Sequence, residues 1–243
     1  MTPAALRERL AKARVATRRD VAERARRGMT AWLEAMLARG ETATDLAGQM
    51  ATGVVASGVA QVELAAATLP GDLACGQGCA FCCILGGADG GTITEAEARA
   101  LHGALMPFAG APDGRDWHPR ACAALDPATR QCRAYAARPT ICRSYVSRDA
   151  TACEAVAYGQ EATGQGTLAA YHGYLAALGL SRAALRGQRR VATYALARIA
   201  AAAVEGCDPE TALQAARHPA SGLEDELKRS KRDLARSQQA GLP

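Results

Sequence analysis

The run CGQGCAFCC places four cysteines within nine residues, at Cys75, Cys79, Cys82 and Cys83. Four more follow at intervals of about ten residues, at Cys122, Cys132, Cys142 and Cys153. The segment around them, from about residue 72 to 157, is rich in loop-forming residues and poor in apolar ones. Burial of so little apolar surface cannot offset the conformational entropy lost on folding. Metal held by the cysteines would supply the missing free energy, because such binding is coupled to folding.

The number of cysteines and the hydropathy of the chain indicate the cellular compartment in which the protein is expected. The chain has nine cysteines, an odd number that would leave one thiol over in a disulfide framework. Its first residues, MTPAALRERLAKARVATRRD, are charged throughout and lack the apolar region of a secretory signal. The most apolar window contains Gln61 and Glu63 and is too polar to span a membrane. These features predict a cytoplasmic protein without a membrane segment, whose cysteines serve metal or redox chemistry.

The charge pattern limits the expected partners. The net charge of +5 is mild, and a nucleic-acid-binding domain usually carries a denser basic patch, so nucleic acid is not expected to bind. The first long helix has a basic face, which is typical of a solvated surface and alternatively of a docking face for an acidic protein. This face consists of Arg18, Arg19, Arg24, Arg26 and Arg27. Any protein partner is therefore expected to bind through the helical segments.

Composition and periodicity predict a mostly α fold. Aromatic residues make up only 4% of the chain and alanine, the strongest helix former, is abundant. Apolar residues recur at helical spacing before and after the cysteines. The clearest sets are Met29, Trp32, Leu33, Met36 and Leu37; Leu168, Tyr171, Leu175 and Leu178; and Leu185, Ala192, Leu196, Ile199 and Ala203. Between them, Thr94 and Glu97 form a capping box that predicts one further helix start.

Three segments follow from these patterns. Residues 1–70 form an N-terminal helical segment, residues 71–158 a cysteine-cluster metal-binding domain, and residues 159–243 a C-terminal helical segment. We therefore expect a metal-stabilised, loop-rich cysteine-cluster core flanked by amphipathic helices. From Ser221 onward, the mixed charges and thin leucine pattern predict a solvated terminal helix or a frayed tail.

Cysteine thiolates are soft, charged donors that suit zinc and iron, and eight of them allow several arrangements. Two tetrahedral sites, one four-cysteine iron–sulfur cluster with spare ligands, and a bridged polynuclear cage all remain open. Adjacent Cys82 and Cys83 cannot easily chelate the same ion in relaxed geometry. They are therefore expected to serve two metals, or one of them to bridge. Cys207 lies far downstream and is expected to be a free or buried thiol outside the site.

Four thiolates around one divalent ion carry a net charge of about −2, which calls for cations or N–H donors nearby. Arginines beside the later cysteines could supply them: Arg130, Arg133, Arg138 and Arg143. Arg138 and Arg143 flank Cys142 and are the candidates to contact the bound cofactor, although ordinary surface charge is the alternative. Tyr135 and Tyr145 are expected to lie in the core, as most tyrosines in such positions do.

The order of these residues resembles a bacterial cysteine-cluster family described as a zinc- or iron-chelating domain of the CxxxCxxCC type. That family combines a Cx2–3CxxCC motif, a later CxxL, a CxxY followed by RPxxCR, and one further cysteine. The matching residues here are Cys75, Cys79, Cys82, Cys83, Cys122, Leu125, Cys132, Tyr135, Arg138, Pro139, Cys142, Arg143 and Cys153. The match spans roughly residues 72–157, and Tyr145 stands where a phenylalanine is usual.

The resemblance implies metal binding, with an iron–sulfur cluster or Zn²⁺ as cofactor, and says less about any reaction. One branch of the family is related to flagellin lysine-N-methylases, which use S-adenosylmethionine, so a lysine methylase-like enzyme is the alternative. The spacing C-x3-C-x2-C also occurs in radical S-adenosylmethionine enzymes, but no series of β-branched strands follows to build their barrel. No nucleophile–base pair or carboxylate dyad is visible, so no catalytic residue is assigned and enzyme activity stays undecided. We expect a structural or electron-transfer role.

Overall fold

The computed structural model describes residues 1–84, 89–163 and 165–239. Helices dominate this part of the chain, as predicted from composition. The helices are α1 (Pro3–Lys12), α2 (Arg19–Ala38), α3 (Ala43–Thr52), α4 (Val54–Ala66), α5 (Glu95–Leu105), α6 (Gly114–Trp117), α7 (Thr140–Ser144), α8 (Ala150–Ala157), α9 (Ala169–Ala184), α10 (Leu196–Val204), α11 (Pro209–Ala216) and α12 (Gly222–Gln239). None of the described helices is both long and apolar enough to cross a lipid bilayer.

The strands form two small antiparallel ladders. They are β1 (Thr92–Ile93), β2 (Tyr145–Ser147), β3 (Gln165–Thr167) and β4 (Tyr194–Ala195). β1 pairs with β4, and β2 pairs with β3 so that Tyr145 lies opposite Thr167. Each ladder joins a strand next to the cysteines to a strand from the last third of the chain. The cysteine-rich segment is thereby tied to the C-terminal helices at two points.

The larger hydrophobic core is built around α9. Its sequence, AAYHGYLAALGLSRAA, is apolar or small on nearly every side, which is typical of a helix surrounded by others. Helices α1, α2, α4 and α12 pack against it, and Tyr174, Leu175 and Leu178 are fully buried. The helical segments before and after the cysteines therefore share one core.

Helix α12 is docked on this core, so the expectation of a solvated helix or frayed tail from Ser221 onward is wrong. Its leucines Leu223, Leu227 and Leu234 are buried in the α9 core. Ser230 Oγ lies 2.6 Å from His172 Nδ1, and Tyr171 donates to Glu226 at 2.7 Å. Burial lowers the pKa of His172 to about 4, so the imidazole is neutral at pH 7.

A second core joins α5, α10 and α11. Leu101 and Leu105 of α5 pack with Ile199 of α10 and Leu213 of α11. Cys122 is buried in the same cluster. The cysteine-rich segment thus packs, through its own helix α5 and Cys122, against two helices that follow it in the chain.

Glu97 is the polar centre that connects these parts. The predicted capping box is present, since Thr94 and Glu97 exchange hydrogen bonds at the start of α5. The Glu97 carboxylate also accepts from Thr140 N at 2.8 Å, from Thr140 Oγ1 at 2.6 Å and from the Tyr174 hydroxyl. It therefore holds the first residue of α7 against α5 and α9. Because α7 is only five residues long, this anchor also fixes Cys142.

Gly53 allows α3 and α4 to approach the same cap. It separates the two helices at φ = 84°, a left-handed conformation that glycine adopts without strain. A Cβ at this position would lie 2.2 Å from Thr94 Cγ2. Only glycine therefore permits this contact between the α9 core and the start of α5.

Candidate metal centre

The first four cysteines lie on a loop that leads into a 3-10 turn. Ser147 of β2 anchors its start, because Ser147 N donates to Cys75 Sγ at 3.3 Å and Ala74 N donates to Ser147 O at 2.9 Å. Gly78 adopts φ = 80°, which reverses the chain before Cys79. The 3-10 turn Phe81–Cys83 then carries the adjacent pair of thiols.

The next two cysteines lie on a hairpin-like loop that crosses this turn. Cys122 N donates to Cys83 O at 2.8 Å, and a β-bridge pairs Leu125 with Cys132. A Cβ on Gly114 would lie 2.2 Å from Cys122 O, so α6 can lie this close only because its first residue is glycine. These backbone contacts set Cys122 and Cys132 beside Cys83.

The last two cysteines of the segment come from short helices. Cys142 lies on α7, which Glu97 anchors, and Cys153 lies on α8. Helix α8 packs against the 3-10 turn Phe81–Cys83. All eight predicted ligands therefore surround this turn, although they come from four separate stretches of the chain.

The eight thiols differ in solvent exposure, and all of them are free. Two are buried, Cys122 and Cys153; two are exposed, Cys75 and Cys82; the other four are half-buried. Cys207 stands apart on the connection between α10 and α11, where its carbonyl oxygen lies 2.9 Å from His102 Nε2. Cys207 therefore lies apart from the eight cysteines between Cys75 and Cys153.

The thiols lie near enough to one another to influence ionisation. Burial raises the pKa of Cys122 to about 12, and neighbouring Cys132 adds to the shift. Burial also raises the pKa of Cys142 well above its usual value, reinforced by Cys122 and Cys132. In the adjacent pair, the hydrogen bond between the two thiols lowers the pKa of Cys82 and raises that of Cys83. A bound cation would offset this mutual repulsion, since metal coordination deprotonates a thiol outright.

The side chains are neighbours but do not form a closed cage. Within residues 1–84, 89–163 and 165–234, no three His, Cys, Asp or Glu side chains converge closely enough to hold a metal ion. Metal binding at these thiols would therefore require side-chain rotation or a small movement of their loops.

The two candidate arginines make different contacts. The hydrogen bond with Cys83 is the main cause of the lowered pKa of Cys82, and the charge of Arg138 adds to it. Burial raises the pKa of Cys132 and Cys142, and the same charge opposes that rise. The Arg138 guanidinium stacks on Tyr135, with Cζ 3.8 Å from the ring centroid. Arg143 instead donates to the backbone oxygens of Arg138 at 2.7 Å and Ala136 at 2.5 Å. Arg138 thus acts on the thiols directly, whereas Arg143 holds the turn that carries Arg138.

The structure corrects the expected position of Tyr135 and adds Ser147 to the residues near the thiols. Tyr135 is 63% exposed, so its expected place in the core is wrong. Tyr145 is half-buried, and its pKa is raised first by burial and then by the nearby Cys153 and Cys82. Ser147, which the sequence did not single out, contacts Cys75 and is hydrogen-bonded to the Cys153 thiol. No motif signals Ser147, because only the pairing of β2 with the loop brings it to the thiols.

A family comparison covers this centre. Residues 74–161 match the model of the CxxCxxCC family, described as a "Putative zinc- or iron-chelating domain". The match covers less than half of the chain and shows what this segment is similar to. The match includes all eight cysteines around the 3-10 turn together with Arg138 and Arg143, and it ends before Cys207. No curated protein and no solved structure matches the chain. The match supports metal binding through the cysteines of this centre.

Proposed function

We propose that the segment matching the CxxCxxCC family holds zinc or an iron–sulfur cluster through its eight cysteines, in a structural or electron-transfer role. The observation that carries the proposal is the gathering of eight free thiols from four stretches of chain around one turn. When bound, zinc would cross-link these stretches, and an iron–sulfur cluster would in addition accept and release an electron.

The donor chemistry of these residues fits such a group, and their side chains would move to close around it. Thiolates are the preferred donors of both candidate metals. Arg138 Nε is buried and has no hydrogen-bond partner among the described residues. A buried N–H without an acceptor is costly, and thiolates of a loaded site beside Arg138 would satisfy it.

The donor set also favours the proposed role. A catalytic zinc site typically keeps one position open for water, whereas four thiolates fill the coordination sphere. His118, the histidine nearest in sequence to these cysteines, accepts from Arg120 N at 3.1 Å through Nδ1 and packs against Tyr158. Full thiolate coordination therefore supports a structural or electron-transfer centre over a Lewis-acid catalyst.

Purification under anaerobic conditions, followed by elemental analysis and absorption spectroscopy, tests this proposal. We expect stoichiometric zinc in a colourless protein or iron with acid-labile sulfide in a brown one. Reversible reduction of the brown form would assign it to electron transfer, and a colourless zinc form to a structural role. A folded protein with neither metal would refute the proposal.

Replacement of Arg138 by alanine should weaken metal retention by about 10–100-fold, the usual effect of removing a group that supports metal ligands. Competition with a chromophoric chelator measures this affinity. Lysine at position 138 should restore only part of it, because its compact ammonium lacks the planar set of N–H donors that arginine has.

Arg143→Ala is the matched control for this prediction. Arg143 contacts backbone oxygens only, so its loss should loosen the turn and reduce affinity less than Arg138→Ala does. Equal affinities for wild type and Arg138→Ala would show that Arg138 is ordinary surface charge.

A further inference from the structure

We propose that the eight cysteines form two separate four-thiolate sites divided between the adjacent residues Cys82 and Cys83. The inner site consists of Cys83, Cys122, Cys132 and Cys142. The outer site consists of Cys75, Cys79, Cys82 and Cys153. This division rests on the proposed function and adds to it the number of sites and the ligands of each.

Packing defines the inner site. Cys122 is buried in the core formed by α5, α10 and α11, and Cys83, Cys132 and Cys142 pack against that same core. Backbone contacts reinforce this group, since Cys122 N donates to Cys83 O at 2.8 Å. Cys142 is delivered by α7, whose first residue is held by Glu97. These four thiols therefore approach from one side of the 3-10 turn.

Ser147 defines the outer site. Its backbone N–H contacts Cys75 Sγ at 3.3 Å, and its side chain is hydrogen-bonded to the Cys153 thiol. Cys153 lies on α8, which packs on the 3-10 turn. Cys79 lies on the loop between Cys75 and this turn, and its N–H donates to Gly76 O at 3.2 Å. Cys75 and Cys153 thus lie around Ser147, with Cys79 on the adjoining loop, and none of the three belongs to the core of α5, α10 and α11.

The 3-10 turn divides the adjacent pair. Such a turn has three residues per revolution, so successive side chains point about 120° apart. Cys83 packs against the apolar core, whereas Cys82 is exposed, as Cys75 is. One rigid turn therefore supplies one ligand to each site, which resolves why two neighbouring thiols occur in the motif.

Metal counting on single and double serine variants tests the division. Cys142→Ser and Cys153→Ser should each lose half of the wild-type metal. The double variant Cys132→Ser/Cys142→Ser, with both changes in the inner site, should also lose half. Cys142→Ser/Cys153→Ser, with one change in each site, should lose all of it. Native mass spectrometry resolves each metal-loaded form by its mass and reveals unfolded chains by their higher charge states, so metal loss that follows from unfolding is recognised.

Two results would overturn the division. If every single variant lost all metal, the thiols would form one polynuclear cage. If the two double variants lost equal amounts, the sites would be divided differently. A wild-type protein without metal would instead refute the proposed function, so the two failures are distinguishable.

Chelation of the wild-type protein tests the division without any variant. The chelator should first release the half of the metal that the exposed outer site holds, and then the other half. Release of all the metal in one phase would contradict two sites of unequal exposure.

Discussion

Removal of the metal should unfold the cysteine-rich segment between about residues 72 and 157 while most of the helical circular dichroism survives. The helices that account for that signal, chiefly α2, α9 and α12, belong to the core around α9, which contains none of the eight cysteines. The segment that holds the thiols has only the short helices α6, α7 and α8 apart from α5. Its order is therefore expected to depend on the metal.

The magnitudes support a large effect. Ordering one residue of backbone costs about 1–2 kcal/mol, and the buried apolar side chains of the loops that carry the thiols are mostly small alanines. A structural zinc site supplies about 10–16 kcal/mol in small zinc-binding peptides. Loss of the metal should therefore release these loops even though the α9 core remains folded.

Limited digestion with trypsin before and after chelation measures the effect. Arg120, Arg130 and Arg148 lie on connections between short elements near the cysteines and should be cleaved rapidly in the apo protein. Arg24 and Arg182 are the internal controls, since they lie on α2 and α9 and should stay protected. An unchanged cleavage pattern after complete metal removal would show that the segment folds without metal.

Local sequence signals predicted the elements that depend on neighbouring residues. The Thr94–Glu97 capping box begins α5 as expected, and the apolar spacing around Met29 and Leu33 gives a helix with those side chains buried. The spacing of the cysteines marked the segment that matches the CxxCxxCC family, because short intervals place cysteines on one loop whatever the rest of the fold. Such features depend on the local spacing of residues and can be predicted without knowledge of tertiary contacts.

Features that depend on contacts between distant segments were not predictable in this way. Helix α12 has few leucines, yet it docks because α9 offers His172 and Tyr171 as partners for its polar residues. Ser147 reaches the thiols only through the pairing of β2 with residue 74 and α8. Arg138 and Arg143 look alike in sequence, and their different contacts follow from the turn between Tyr135 and Ala137.

The second large effect concerns which cysteines hold the metal. Replacement of Cys142 by serine should remove at least half of the bound metal, because the thiolate is a ligand in the proposed site and a serine hydroxyl is a poor substitute for a soft donor. Cys207→Ser is the matched control, since both cysteines are half-buried and both changes exchange sulfur for oxygen. The two variants thus differ in location and not in chemistry.

The metal content per folded chain of wild type, Cys142→Ser and Cys207→Ser, measured by elemental analysis after anaerobic purification, tests the central claim most directly. The account predicts stoichiometric zinc or iron in wild type, the same amount in Cys207→Ser, and no more than half of it in Cys142→Ser. Loss of as much metal from Cys207→Ser as from Cys142→Ser, or full retention in both, would contradict it.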